Sequence, residues 1–361
     1  MTLARGTIIA LLLAGAALGV VSCRSDDVAG PVSSAPRPAA SAAGTGYSLA
    51  LFQTAEGLSP AGINNPGKIA GTRGSCPAAC GPYIWTAAGG FRTVNGFPVG
   101  SFAVDINNSG QVLVVTQLSG VHSFVWSRLN GTRQLPSMGR AVEQGAVMNR
   151  NGDVAGHGAN LIGGSIRPAF WPAAGGFVDI VPPEWQGSGM ARGLNNKGRV
   201  VGILGISRST PLAGFPTPCP SCGFMWDGAL GLRRIPIASR RISPAAINDA
   251  GQIVGWFFRD AIYHAFRWSP GSGLLEIGTL GGDFTDPLAI NEFGVVVGSS
   301  RVDAGGLSHP FVWDEQRGIV DLGLPEGAIE GSAIDINRDG VITGYVFFPG
   351  PVAAMAIWTP L

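Results

Sequence analysis

Apolar residues fall in short runs broken by glycine, asparagine and aspartate, which predicts short strands and tight turns and argues against long amphipathic helices. One unit recurs down the chain: an apolar residue, then Asn-x-x-Gly, then a second apolar run, as in Ala246-Ile247-Asn248 followed by Gln252-Ile253-Val254-Gly255. Asn64/Gly67, Asn107/Gly110, Asn149/Gly152, Asn195/Gly198, Asn248/Gly251, Asn291/Gly294 and Asn337/Gly340 make seven copies. Each predicts a tight hairpin, because asparagine caps the turn with its side chain and glycine supplies the positive φ that the returning strand needs. The asparagines lie 43, 42, 46, 53, 43 and 46 residues apart. That spacing matches the ~40–50 residues of a four-stranded propeller blade.

A second marker keeps phase with the first. Trp85, Trp126, Trp171, Trp226, Trp268, Trp313 and Trp358 follow the seven turns, one each, and five residues beyond the first six stands a glycine: Gly90, Gly131, Gly176, Gly231, Gly273 or Gly318. Each repeat therefore offers four strands: A before the asparagine, B after its glycine, C ending at tryptophan and D after the second glycine. The seventh repeat has no strand D after Trp358, while Tyr47-Ser48-Leu49-Ala50-Leu51-Phe52 is apolar and precedes the first repeat. If that stretch completes blade seven, the chain closes into a ring and covers two edges at once. The expected fold is all-β, a seven-bladed β-propeller over 47–361. The alternative is an open β-solenoid, which would need distinct polar capping repeats at its ends.

These residues resemble the bacterial extracellular repeats named for their His-Ala-Phe motif. His264-Ala265-Phe266-Arg267-Trp268, Glu276-Ile277-Gly278-Thr279-Leu280-Gly281-Gly282, and Ala289-Ile290-Asn291 with Val295-Val296-Val297-Gly298 match the family closely. The motif histidine is kept at His122, His264 and His309 and replaced by Gly81, Arg167, Cys222 and Ala354. That family is defined by repetition and has no agreed activity, so the resemblance implies architecture and export.

Composition adds limits. Charged residues are 13% of the 361, and the formal net charge of +1 gives no electrostatic footprint for nucleic acid, which is excluded as a partner class. Arg5 precedes an apolar run over 8–21, too short to span a bilayer but suited to a signal-peptide core. The run ends in Val20-Val21-Ser22-Cys23, which resembles the lipobox of bacterial lipoproteins. Residues 1–22 are thus expected to be a signal peptide and Cys23 the lipidated anchor, the chain's one link to the membrane. By resemblance to lipoprotein sorting, arginine rather than aspartate at position 24 favours the outer membrane, on the periplasmic or cell-surface side. Residues 23–46 are small and polar and read as a flexible tether.

Candidate chemistry is sparse. Cys76 and Cys80 fall in the first repeat and Cys219 and Cys222 in the fourth, too far apart around a ring for a shared zinc site, so two local disulfides are expected. Asp335, Asn337 and Asp339, before Gly340, fit the opening of a calcium loop, but Thr343 and Val346 stand where later carboxylates belong, and a plain turn is the simpler reading. The motif histidines share one strand position and cannot converge, so each is expected to be structural. In an up-and-down blade the A–B and C–D turns lie on one face and the B–C and D–A loops on the other. Departures from the repeat gather on the second face: an insertion over 203–223, the out-of-phase Trp185 and Trp256, and Phe257, Arg240 and Arg241. That rim is the expected binding surface for a protein or carbohydrate ligand. The expected function is a non-enzymatic binding or interaction module with no cofactor. The alternative is a propeller hydrolase or lyase acting on polysaccharide or peptide, which clustered carboxylates, histidines or tyrosines at the channel mouth would favour.

Overall fold

A computed structural model of the chain describes residues 37–38, 46–53, 57–74, 76, 79–117, 120–159, 164–350 and 353–361. The expected signal peptide, Cys23 and most of the tether lie outside these residues. Seven antiparallel sheets, each ordered A-B-C-D, form a β-propeller. The innermost strands A are Leu58–Ile63, Phe102–Ile106, Val142–Met148, Ser188–Leu194, Ile242–Ile247, Thr285–Ile290 and Glu330–Ile336.

The asparagine turn explains how the ring is held. In all seven turns Asn Oδ1 accepts the amide hydrogen of the residue four positions on, and the turn glycine has a φ between 75° and 84°. An L-residue there would be strained. The Nδ2 group donates to the backbone carbonyl of the corresponding asparagine in the next blade, at 2.9 to 3.3 Å, and at Asn107, Asn149 and Asn248 also to the side chain four residues on. The series runs Asn64, 107, 149, 195, 248, 291, 337 and returns to Asn64, a closed circle of hydrogen bonds around the axis. All seven asparagines are buried, so each bond forms where an unmet polar group is costly.

Every strand A carries a bulge three residues before its asparagine, where the register to strand B shifts. The bulge drives a carbonyl of strand A toward strand B. In blades three and six, a Cβ added at Gly156 or Gly298 would stand 2.0 Å from the carbonyl oxygen of Gln144 or Asp286. Strand B therefore needs glycine at this place, and six of the seven repeats supply it; Val114 stands in blade two.

Ring closure follows the expectation. Tyr47–Phe52 pairs antiparallel with Ala353–Pro360 from Tyr47↔Pro360 to Phe52↔Met355, completing blade seven. Arg37–Pro38, within the expected tether, adds a short outer strand opposite Leu51 and Ala50. The core lies between blades. Of the in-phase tryptophans, Trp171, Trp226, Trp313 and Trp358 are buried and the other three half-buried.

Candidate functional site

The bulge residues of the innermost strands are Ala61, Val104, Ala146, Arg192, Ala245, Leu288 and Ile334, all half-buried. Six are apolar and one is charged. Arg192, on blade four, donates from Nη1 to Ser243 Oγ of blade five at 2.9 Å. Burial pushes its guanidinium down, against the charge of Asp286. Asp286 belongs to strand A of blade six, two blades on from Arg192. Burial raises the Asp286 carboxyl to about 6, with Arg192 opposing. Tyr345 of blade seven is pushed up to about 12 by burial first and then by Glu330 and Asp286. Arg192, Asp286 and Tyr345 are half-buried, and Asp286 accepts no hydrogen bond from any described residue. A half-buried guanidinium, carboxylate and phenol from blades four, six and seven are thus linked electrostatically through Asp286.

On the B–C/D–A side the rim is aromatic. Trp256, Phe258, Tyr263 and Phe284 form a series of edge contacts with centroids 5.0 to 5.6 Å apart. Arg241 lies 5.2 Å from the Phe258 centroid and Arg301 5.9 Å from that of Phe284. Trp256 pairs across the sheet with Ser243, the hydroxyl that Arg192 grips, so the rim joins Arg192. Tyr263 is 39% and Ile262 53% exposed. They follow a two-residue hairpin turn in which Asp260 and Ala261 both take positive φ, the turn type that fits strand twist but strains a non-glycine residue.

The expected rim residues divide. Trp256 is half-buried in the aromatic series, and Arg240 and Arg241 are exposed with no ion pair among the described residues. Phe257 is 2% exposed, because alternation along strand B points it to the opposite face of the sheet, into the core shared with blade four. Trp185 is 4% exposed: its indole donates to the Thr210 carbonyl in the insertion, and Arg167 holds its turn by bonds to the Val181, Pro182 and Trp185 carbonyls. Both are core residues and are corrected from the rim.

The remaining candidates are structural. Cys76–Cys80 and Cys219–Cys222 are disulfides within their own blades. His264 and His309 place Nδ1 2.9 Å from Glu276 Oε2 and Asp321 Oδ2, twelve residues on in strand D, and Arg167 meets Asp179 at the same spacing. Asp335 and Asn337 do not gather with Asp339 into a calcium loop. Asp335 accepts the amides of Ile63 and Ile336, Asn337 belongs to the ring of turns, and Asp339 is exposed. Asp335 instead lies across Gly62 from Asp105. A Cβ on that glycine would be 3.0 Å from Asp105 Oδ1 and 3.3 Å from Asp335 Oδ2. Burial pushes Asp105 up to about 7, with Asp335 adding to it, and Asp335 to about 6.

The channel's other opening, on the A–B side, has a cavity of about 190 Å³ whose lining includes Asn65, Asn108, Asn196 and Asp249. Those side chains accept amide hydrogens from adjacent blades, so this end is occupied with holding the ring. Arg192, Asp286 and Tyr345 were not among the residues expected from sequence. Aligning the repeats on their asparagines would have isolated Arg192 as the one charge at a position otherwise alanine, valine, leucine or isoleucine.

No family model and no curated protein matches the chain. Among solved structures, it is similar to a catalytically inactive virginiamycin B lyase from Staphylococcus aureus with quinupristin, at 12% identity and a TM-score of 0.56, covering 87% of this chain and 100% of that one. It is also similar to a puromycin hydrolase mutant complexed with PGG, at 13% identity and a TM-score of 0.56, over 83% of this chain and 51% of that one. A putative TolB from Agrobacterium tumefaciens matches at 13% identity and a TM-score of 0.50, over 81% and 99%. At these identities the likeness is one of fold.

Proposed function

We propose that the chain is an exported propeller of the His-Ala-Phe repeat type, anchored through Cys23 to the outer membrane, that acts as a non-enzymatic binding module. Its binding surface is the B–C/D–A opening over blades four to six. The observation that carries this reading is the half-buried aromatic series with Tyr263 exposed at its centre and the exposed Arg240 and Arg241 beside it, joined to Arg192 through Ser243. Contiguous aromatic surface with unpaired arginines is what a recognition site offers. The hydrolase or lyase reading finds an electrostatically linked carboxylate and tyrosine in Asp286 and Tyr345, but no activated nucleophile at Ser243. Ser243 Oγ accepts from Arg192 and has no histidine or carboxylate partner among the described residues, so it has no base to activate it.

The test is binding of the purified mature protein to isolated outer-membrane and cell-wall fractions. Arg240→Ala combined with Arg241→Ala, both exposed and without ion pairs among the described residues, should reduce retention at least tenfold without moving the urea midpoint. Equal retention of wild type and variant would sink the reading. The anchor is tested separately: Cys23→Ala should move the protein from the membrane to the soluble periplasmic fraction.

A further inference from the structure

We propose that a pocket between blades four and five, on the A–B/C–D face and apart from the B–C/D–A rim, takes a small aromatic carboxylic acid. Its ring lies against Trp268 and its carboxylate meets Arg199 and Arg233.

The repeat explains why a space opens there. The residue before each strand-C tryptophan points to the next blade, toward that blade's own tryptophan. Phe170 and Trp226 have ring centroids 5.4 Å apart, and the Arg267 guanidinium lies 5.2 Å from the Trp313 centroid while it bonds Glu315. In blade four that place is taken by Met225, which carries no such planar group, and Trp268 beyond it stays half-buried. Register puts Met225 and Arg233 on one face of blade four, and Ile253 and Trp268 on one face of blade five. Between the two faces is a cavity of about 160 Å³, which Arg199 and Leu230 also line. An apolar cavity of about 150 Å³ holds benzene, so the space suits a single ring. Stacking on an indole adds to what the buried apolar area supplies. A sugar's hydroxyls would lose water against Met225, Ile253 and Trp268 with little in return.

The lip of the pocket is cationic. Arg199 Nε lies 3.4 Å and Arg233 Nη2 3.3 Å from the same Asp227 Oδ2, so two guanidiniums share one carboxylate and one positive charge is in excess. Arg199 Nε is buried and donates no hydrogen bond to any described residue. A second carboxylate, carried in on the ring, neutralises the excess and offers an acceptor to a planar donor fork. The blade architecture does not need this arginine. Gln111 and Gln252 hold the same place in blades two and five, where a Cβ on the next blade's turn glycine, Gly152 or Gly294, would stand 3.0 or 2.9 Å from their Oε1. Arg199 makes the equivalent approach to Gly251, at 3.3 Å from Nη1, and adds a charge that glutamine lacks.

The test is titration of the mature protein with phenylacetate, followed by calorimetry and by the indole N–H resonances in NMR. Benzylammonium, with the opposite charge on the same ring, and acetate, with no ring, are the controls. Phenylacetate should bind at least tenfold more tightly than either and should shift the indole resonance that Trp268→Phe removes. Arg199→Gln should weaken it several-fold, and Arg199→Gln with Arg233→Gln about tenfold or more, the usual loss for a charge-assisted hydrogen bond. An unchanged urea midpoint separates these effects from misfolding; if the double variant is destabilised, Arg199→Gln alone and the indole shift decide. No binding of phenylacetate overturns the proposal. So does benzylammonium binding as tightly, a shift confined to other indoles, or affinity indifferent to Arg199→Gln.

Discussion

Removing the strand that closes the ring should abolish the folded state. Tyr47, Leu49 and Phe52 point into the core of blade seven and its neighbours at 5%, 8% and 5% exposure. Burying a large apolar side chain stabilises by about 1.5–3 kcal/mol, so the three together contribute about 5–9 kcal/mol. Deletion also uncovers Met355, Ile357 and Trp358 on strand Ala353–Pro360, now 0%, 5% and 1% exposed, and leaves that strand as an unpaired apolar edge. The loss is comparable to the whole stability of a typical domain, about 5–15 kcal/mol. A chain starting at residue 53 should therefore aggregate on gel filtration and lose its cooperative urea transition. A chain starting at Gly46, which lacks the Arg37–Pro38 edge pair, should unfold like the mature protein. If the shorter chain stays monodisperse with an unchanged midpoint, ring closure by Tyr47–Phe52 does not hold the fold.

Two further predictions concern the axis. Asn291→Ala removes acceptance of the Phe293 and Val295 amides and donation to the Asn337 carbonyl; at roughly 1 kcal/mol for each bond it should cost about 3 kcal/mol in urea unfolding, and a cost below about 1 kcal/mol would deny the ring its structural role. Asp105, raised to about 7, and Asp335 and Asp286, raised to about 6, hold their protons more tightly folded than unfolded, so their contribution is full below the ordinary carboxyl range and lost as pH rises through those values. His157, pushed down to about 4 by burial, works in the opposite sense but only below its ordinary value of 6.5. Unfolding free energy should thus fall between pH 6.5 and 8, and Asp105→Asn should flatten that slope; a rise across this window in the wild type would contradict the assignment.

What the sequence made legible is what repeats. The Asn-x-x-Gly turns and in-phase tryptophans mark hairpins and inter-blade core because each copy must solve the same backbone problem. The closing strand was legible as the one apolar stretch that a seventh blade lacked. The circle of Nδ2 bonds was not, since its acceptor is a carbonyl some 40 residues away in the next unit. Phe257 and Trp185 were misplaced for a related reason: composition marks a large aromatic as conspicuous, but strand alternation and the hold of Arg167 on its turn decide which way it faces. Arg192 and Asp286 escaped notice because a bulge sets which way a residue faces, and one residue of register turns a side chain to the other face.

Ligand binding at the B–C/D–A opening and ring-holding at the A–B opening form a division that site-specific photo-crosslinking on intact cells tests most directly. A photoreactive residue is placed either at position 263, on the B–C/D–A rim, or at position 293, in an A–B turn where Phe293 is 66% exposed. Adducts should form from position 263 and be displaced by excess unlabelled protein, with none from position 293. Adducts from 293 in equal or greater yield would place the ligand on the opposite face and contradict the account.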